Sequence, residues 1–235
     1  TPSYDISACL VGSEMCIRDS SNPIGQIGFV ISSDTNTSGK LLINYLDIEG
    51  TPKTTFKRPE HIENAAKNGY FFNQEFYGQL WKRAWVNDID KWQYRWMESF
   101  KIINGVGRGH ILQGSSSWKD YSVSSKVNFP LASAGGLVIR SQGVKRYYSL
   151  ELTSKNKLQI NKMFYELETL KEVDFNFEFY KDYELRFTVN GNKLSGYVDG
   201  KLLIETQDKD NSFKSGMIGF IAQDGTLSSN SISIE

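Results

Sequence analysis

The residues best equipped for chemistry in this sequence lie in two adjacent strings, Gly135-Gly-Leu-Val-Ile-Arg140 and Lys145-Arg-Tyr-Tyr-Ser-Leu-Glu-Leu152. Read as strands, they send alternate side chains to opposite faces. Leu137 and Ile139 then share one face, leaving Val138, Arg140 and Gln142 on the other. Likewise Tyr148, Leu150 and Leu152 oppose Tyr147, Ser149 and Glu151. A hairpin through Gly143 would bring Arg140 near Tyr147 and Glu151. A guanidinium fork, a carboxylate and an aromatic ring on one sheet face suit the hydroxyls and apolar ring faces of a sugar. The same residues equally suit a structural Arg–Glu cross-strand pair on a solvated face. Tyr197 and Asp199 can extend the polar surface, so the candidate ligand-binding set is Arg140, Gln142, Tyr147, Glu151, Tyr197 and Asp199.

Other chemistries find less support. Asp208, Asp210 and Asp224 are loop acids of the type that holds Ca²⁺, but the rest of a calcium-loop pattern is missing. His61 and His110 stand far apart and lack metal-site spacing, so both read as structural, and no cofactor is expected. Retaining glucanases of the concanavalin-like fold place Glu-x-Asp-x-Glu on one strand. The nearest match, Tyr45-Leu-Asp-Ile-Glu49, has a tyrosine where the nucleophile belongs. Nucleophile-elbow, phosphate-loop and dinucleotide motifs are absent as well.

These residues need a sheet to hold them, and the second half of the chain reads as one. Strands are expected at 108–113, 119–128, 135–142, 145–153, 156–163, 166–172, 175–190 (as two strands), 194–198, 201–206, 214–223 and 227–234. Ser154-Lys155-Asn156 and Asn190-Gly191-Asn192 read as turns, and Val198-Asp-Gly-Lys201 is a two-residue hairpin signal. Turns every eight to twelve residues predict an antiparallel jelly-roll β-sandwich over 98–235. Upstream, Gln26–Ser32 and Lys40–Ile48 read as strands of a partial β-domain over 21–55. A connecting segment follows over 56–97, with one short helix from Pro59 to Gly69. Trp81, Trp85, Trp92 and Trp96 lie in that segment and are expected to staple it onto the sandwich rather than form a sugar platform.

Composition narrows the partners. The 235 residues carry 27 basic and 27 acidic side chains, evenly interspersed, which argues against nucleic acid. No apolar run approaches the roughly 20 residues that span a bilayer, which argues against a membrane. The first twenty residues look foreign: Glu14-Met-Cys-Ile-Arg-Asp-Ser20 back-translates into a sequence resembling the transposon-end adapter of sequencing libraries. Residues 1–20 are therefore expected to be an artefact without order, fused to a truncated gene. Cys9 and Cys16, the only cysteines, fall inside that stretch.

Trp118-Lys-Asp-Tyr121, Gly136-Leu-Val-Ile-Arg140, Arg146-Tyr-Tyr148 and Val198-Asp-Gly200 resemble the laminin-G-like, concanavalin A-like module of bacterial polysaccharide-processing proteins. With Gly28-Phe-Val30 and Tyr45-Leu-Asp-Ile-Glu-Gly-Thr-Pro52, the chain is also similar to the C-terminal region of bacterial ADP-ribosylglycohydrolase-class proteins. The resemblance implies a non-catalytic, lectin-like accessory module that binds carbohydrate. It also implies an upstream hydrolase domain. No localisation signal is read from this sequence, and an extracellular or periplasmic location is expected over a cytoplasmic one. Two alternatives stay open: a glycoside hydrolase with an unrecognised carboxylate pair, and a structural docking module.

Overall fold

The computed structural model describes residues 4–11, 26–33, 53–58, 82, 84–93 and 97–235, which fall into two units divided after Gly50. In the first unit, β1 (Tyr4–Val11) and β2 (Gln26–Ser33) pair antiparallel, Tyr4 opposite Ser33 and Val11 opposite Gln26. The expected disorder before Ser20 is thus corrected for Tyr4–Val11. Its Tyr-Asp-Ile-Ser-Ala-Cys-Leu-Val sequence alternates apolar with small or polar residues, a strand pattern in its own right. The expected strand Lys40–Ile48 and helix Pro59–Gly69 lie outside the described residues, as do Trp81 and Trp96.

Among the described residues the second unit shows fourteen strands. In chain order they are β3 (Thr54–Lys57), β4 (Val86–Asn87), β5 (Lys91–Trp92), β6 (Phe100–Gln113), β7 (Tyr121–Leu131), β8 (Ala134–Ser141) and β9 (Arg146–Thr153). Then come β10 (Lys157–Phe164), β11 (Glu166–Asp174), β12 (Asp182–Asn190), β13 (Lys193–Val198), β14 (Lys201–Gln207), β15 (Met217–Ser229) and β16 (Ser231–Ile234). All pairings are antiparallel, forming a jelly-roll sandwich. One layer runs β11-β10-β9-β8, then the first half of β15 and the second half of β6. The other runs β14-β13-β12-β7, then the second half of β15 and the first half of β6. A register shift between Gln223 and Gly225 marks where β15 passes from one layer to the other.

Alternation explains the filling. Leu150 and Leu152 of β9, Leu137 and Ile139 of β8, Leu185 and Phe187 of β12 and Phe220 of β15 meet in one core. Each such side chain contributes roughly 1.5–3 kcal/mol on burial. The layers pack closely enough that a Cβ at Gly196 of β13 would run into Leu150 and Ile204. Trp85 and Trp92 are buried against Phe100, and Trp85 also meets Phe56 edge-on. For these two rings, stapling is the observed role.

The Asp-Gly hairpin forms as its residues dictate. Asp199 and Gly200 both take positive φ, +50° and +77°, the combination of a type I′ turn between β13 and β14. One expected pair of strands is corrected: 175–190 contains a single strand, Asp182–Asn190. Phe177 is buried without a ladder, its N–H donating to the Asn156 side chain, and Tyr180 at φ +62° breaks the extended run.

Candidate functional site

In the first layer, the face of β9 opposite the core carries Tyr147, Ser149 and Glu151, as alternation predicts. All three are wholly buried. A second apolar cluster of Leu112, Val138, Tyr147 and Ile221 occupies this side, with Met163 against it. Polar groups gather beside it. Glu151 Oε1 accepts hydrogen bonds from Arg108, Ser149 and Asn161, while the Asn161 side-chain oxygen accepts one from Thr169 at 2.9 Å.

Arg108 is the hub of the group. Its Nη2 bonds Glu151, its Nη1 donates to Gln223 at 2.8 Å, and its Nε donates to the Tyr147 hydroxyl at 3.3 Å. Burial would lower its pKa, but the neighbouring Glu151 and Tyr147 raise it, so the charge is secure. Burial, partly offset by Arg108, pushes the Tyr147 hydroxyl up to about 12. The phenol therefore keeps its proton and can still donate. The Tyr147 ring packs edge-on against His110, whose Nδ1 lies 3.1 Å from Asp88. Burial alone would raise the Asp88 pKa; its hydrogen bonds to His110 and that residue's charge hold it below the usual value.

Two buried polar atoms in this group have no partner: Glu151 Oε2 and His110 Nε2. Buried polar atoms are nearly always hydrogen-bonded, so each calls for a partner, and for the Glu151 oxygen that partner is a donor. Arg108 keeps 15% of its side chain exposed and Asp88 35%, so these two members of the group reach the surface.

The six residues expected from sequence separate into three places. Tyr147 and Glu151 belong to the cluster just described. Arg140 does not join them. At φ +46° it occupies a bulge of β8, where Met217 faces Ser141 but Gly219 faces Val138. The extra residue reverses the alternation, so the Arg140 guanidinium donates to the carbonyls of Lys119, Gly191 and Phe213 and to Asp120. Gln142 is exposed at the β8–β9 turn and donates to the Ser215 carbonyl. Tyr197 stacks under the Arg186 guanidinium, 3.9 Å from its ring centroid. Asp199 sits in the hairpin turn and accepts from the Glu184 N–H.

Sequence reading missed Arg108, Asn161 and Gln223, and it set His110 aside as structural. A signal was available: Arg108, His110 and Leu112 alternate with Gly109 and Ile111, and Gln159 and Asn161 alternate with Leu158 and Ile160. The loop acids are occupied by the protein itself. Asp208 accepts from Tyr148, Lys162 and the Ser212 N–H, and Asp224 accepts from the Gly107 N–H, Ser133 and Gln223. Among the described residues no cluster of three or more histidine, cysteine or acidic side chains could hold a metal ion.

This architecture is that of a lectin-like β-sandwich. The chain is similar in structure to the carbohydrate binding module CBM66 from Bacillus subtilis, with 21% identity and a TM-score of 0.58 over 65% of this chain and 95% of that one. It is also similar to a Bacillus subtilis protein of unknown function with a galectin-like fold, at 8% identity and a TM-score of 0.50 over 66% and 90% of the two chains. No family model matches the sequence, and no curated protein matches it either.

Proposed function

We propose that this protein binds carbohydrate, without cleaving it, at the Arg108–Glu151 face of the first layer. The observation that carries the reading is the unpartnered, buried Glu151 Oε2 beside an arginine with three hydrogen bonds to side-chain atoms. A sugar hydroxyl supplies the donor that Glu151 lacks, and Arg108, 15% exposed along its side chain, is the charged group beside it. Similarity to a carbohydrate binding module agrees with this ligand class. Of the six residues expected from sequence, Tyr147 and Glu151 remain in the proposed site. Arg108, Asn161, Gln223 and His110 replace Arg140, Gln142, Tyr197 and Asp199.

The resemblance carried by Trp118–Tyr121 and Val198–Gly200 extends the proposal: the sandwich is an accessory module of a bacterial hydrolase that acts outside the cytoplasm. A glycan array tests the central claim, using the full chain, Arg108→Ala and Gln223→Ala. Sugar binding by the parent chain that falls sharply in Arg108→Ala and less in the gentler Gln223→Ala supports the site. Binding undiminished in both variants removes this face from the proposal. No binding by a folded parent chain removes the function.

A further inference from the structure

We propose a second binding site on the outer face of the other layer, for a neutral polyhydroxylated ring. β7 and β12 present Lys126, Asn128 and Asp182 outward there, because Val123, Val127, Tyr183 and Leu185 take the inward positions. Together with Glu98, Tyr180 and Ser228 they line an open depression of about 480 Å³, a volume in the range that small-ligand sites occupy.

Three independent features distinguish it from ordinary solvated surface. First, Glu98 Oε2 and Ser228 Oγ are buried in its lining and have no hydrogen-bond partner. A carboxylate oxygen and a hydroxyl match a pair of ring hydroxyls, one donating to Glu98 and one accepting from Ser228. Second, Tyr180 stands 75% exposed at φ +62°, a conformation uncommon for an aromatic residue. Its N–H is tied to the Phe129 carbonyl at 3.0 Å, which anchors the backbone while the ring stays at the rim. Strained positions cluster where a side chain must be presented to a ligand. Third, the polar side is pre-organised: Asp182 accepts from Lys126 at 2.8 Å and from Asn128 at 2.9 Å.

Charge selects the ligand class. Lys126 is already neutralised by Asp182, and Glu98 adds a carboxylate, so the depression repels anions. A neutral ring with an apolar face for Tyr180 and hydroxyls for Glu98 and Ser228 fits best.

Two-dimensional amide NMR of the full chain tests this directly. The probes are glucose, galactose, mannose, fructose and xylose, each added alone. The expected result is saturable movement of the Tyr180, Asn128 and Ser228 signals with at least one probe. Tyr180→Ala should weaken that binding by roughly tenfold, in line with the loss of a stacked ring, and Ser228→Ala should weaken it further. If no probe moves these signals, or if both variants bind as the parent does, the second site is overturned. Shifts confined to the surroundings of Arg108 and Glu151 would overturn this site and leave the proposed function standing. Shifts confined to Tyr180 and its neighbours would do the reverse.

Discussion

Two arginines in this sandwich, Arg140 buried and Arg108 partly so, take opposite kinds of partner. Arg140 places its donors on three backbone carbonyls and Asp120, joining the start of β7, the β12–β13 turn and the loop before β15. Arg108 places its donors on the side chains of Tyr147, Gln223 and Glu151. Main-chain acceptors are fixed by the fold, so Arg140 is a structural clamp. Side-chain acceptors can be shared with a ligand, so Arg108 is the one that recognition can use. Even the titration differs: burial dominates and lowers the Arg140 pKa, whereas Glu151 and Tyr147 overcome burial and raise that of Arg108.

The contrast is sharpest at Arg140. Arg140→Ala strands the buried Phe213 carbonyl and releases those of Lys119 and Gly191, and should destabilise the fold by about 3–4 kcal/mol, read by denaturant unfolding. A loss under 1 kcal/mol would end the clamp assignment. Arg108→Ala should cost about 3 kcal/mol by leaving Glu151 buried and unpaired. Most of that should return in the double variant Arg108→Met/Glu151→Leu, while sugar binding stays weakened in both. A double variant no more stable than Arg108→Ala would place Arg108 with the clamps.

Two smaller effects complete the series. Asp208 anchors the same end of the sandwich as Arg140. Burial raises its pKa, but hydrogen bonds from Tyr148 and the Ser212 N–H, with Lys162 beside it, hold it below the usual value. Its stabilisation is therefore complete above the ordinary carboxylate range and fades as pH falls through the lowered value. Melting curves should show the parent chain and Asp208→Asn separated by about 1–2 kcal/mol near neutrality and converging in acid. A constant gap at all pH values would contradict the linkage. Last, Asp199→Asn should change stability by less than about 0.5 kcal/mol, since asparagine suits the same turn, and should leave sugar binding untouched. A binding loss there would return Asp199 to the site.

Much of this was legible before any coordinates. Alternation in 145–153 correctly assigned Tyr147, Ser149 and Glu151 to one face, and Asp199-Gly200 announced its hairpin. What failed has two physical causes. A one-residue bulge cannot be seen in a string such as Val-Ile-Arg-Ser, yet it turns Arg140 to the opposite side. Arg108 and Glu151, in turn, meet only because β15 and β8 lie between β6 and β9. That juxtaposition is a property of topology, which local spacing does not encode. The cluster was missed because its members were sought among sequence neighbours.

The passage of β15 and β6 through both layers bears on how the molecule assembles. Phe100 lies opposite Ser229 and Gln113 opposite Ile218, so the longest ladder joins strands from opposite ends of the sandwich. Its loop-closure entropy must be met before the ladder rewards it, which makes for slow, late consolidation. Neither layer can then open alone. Amides of β9 and β13 should lose hydrogen-exchange protection together, as one cooperative unit.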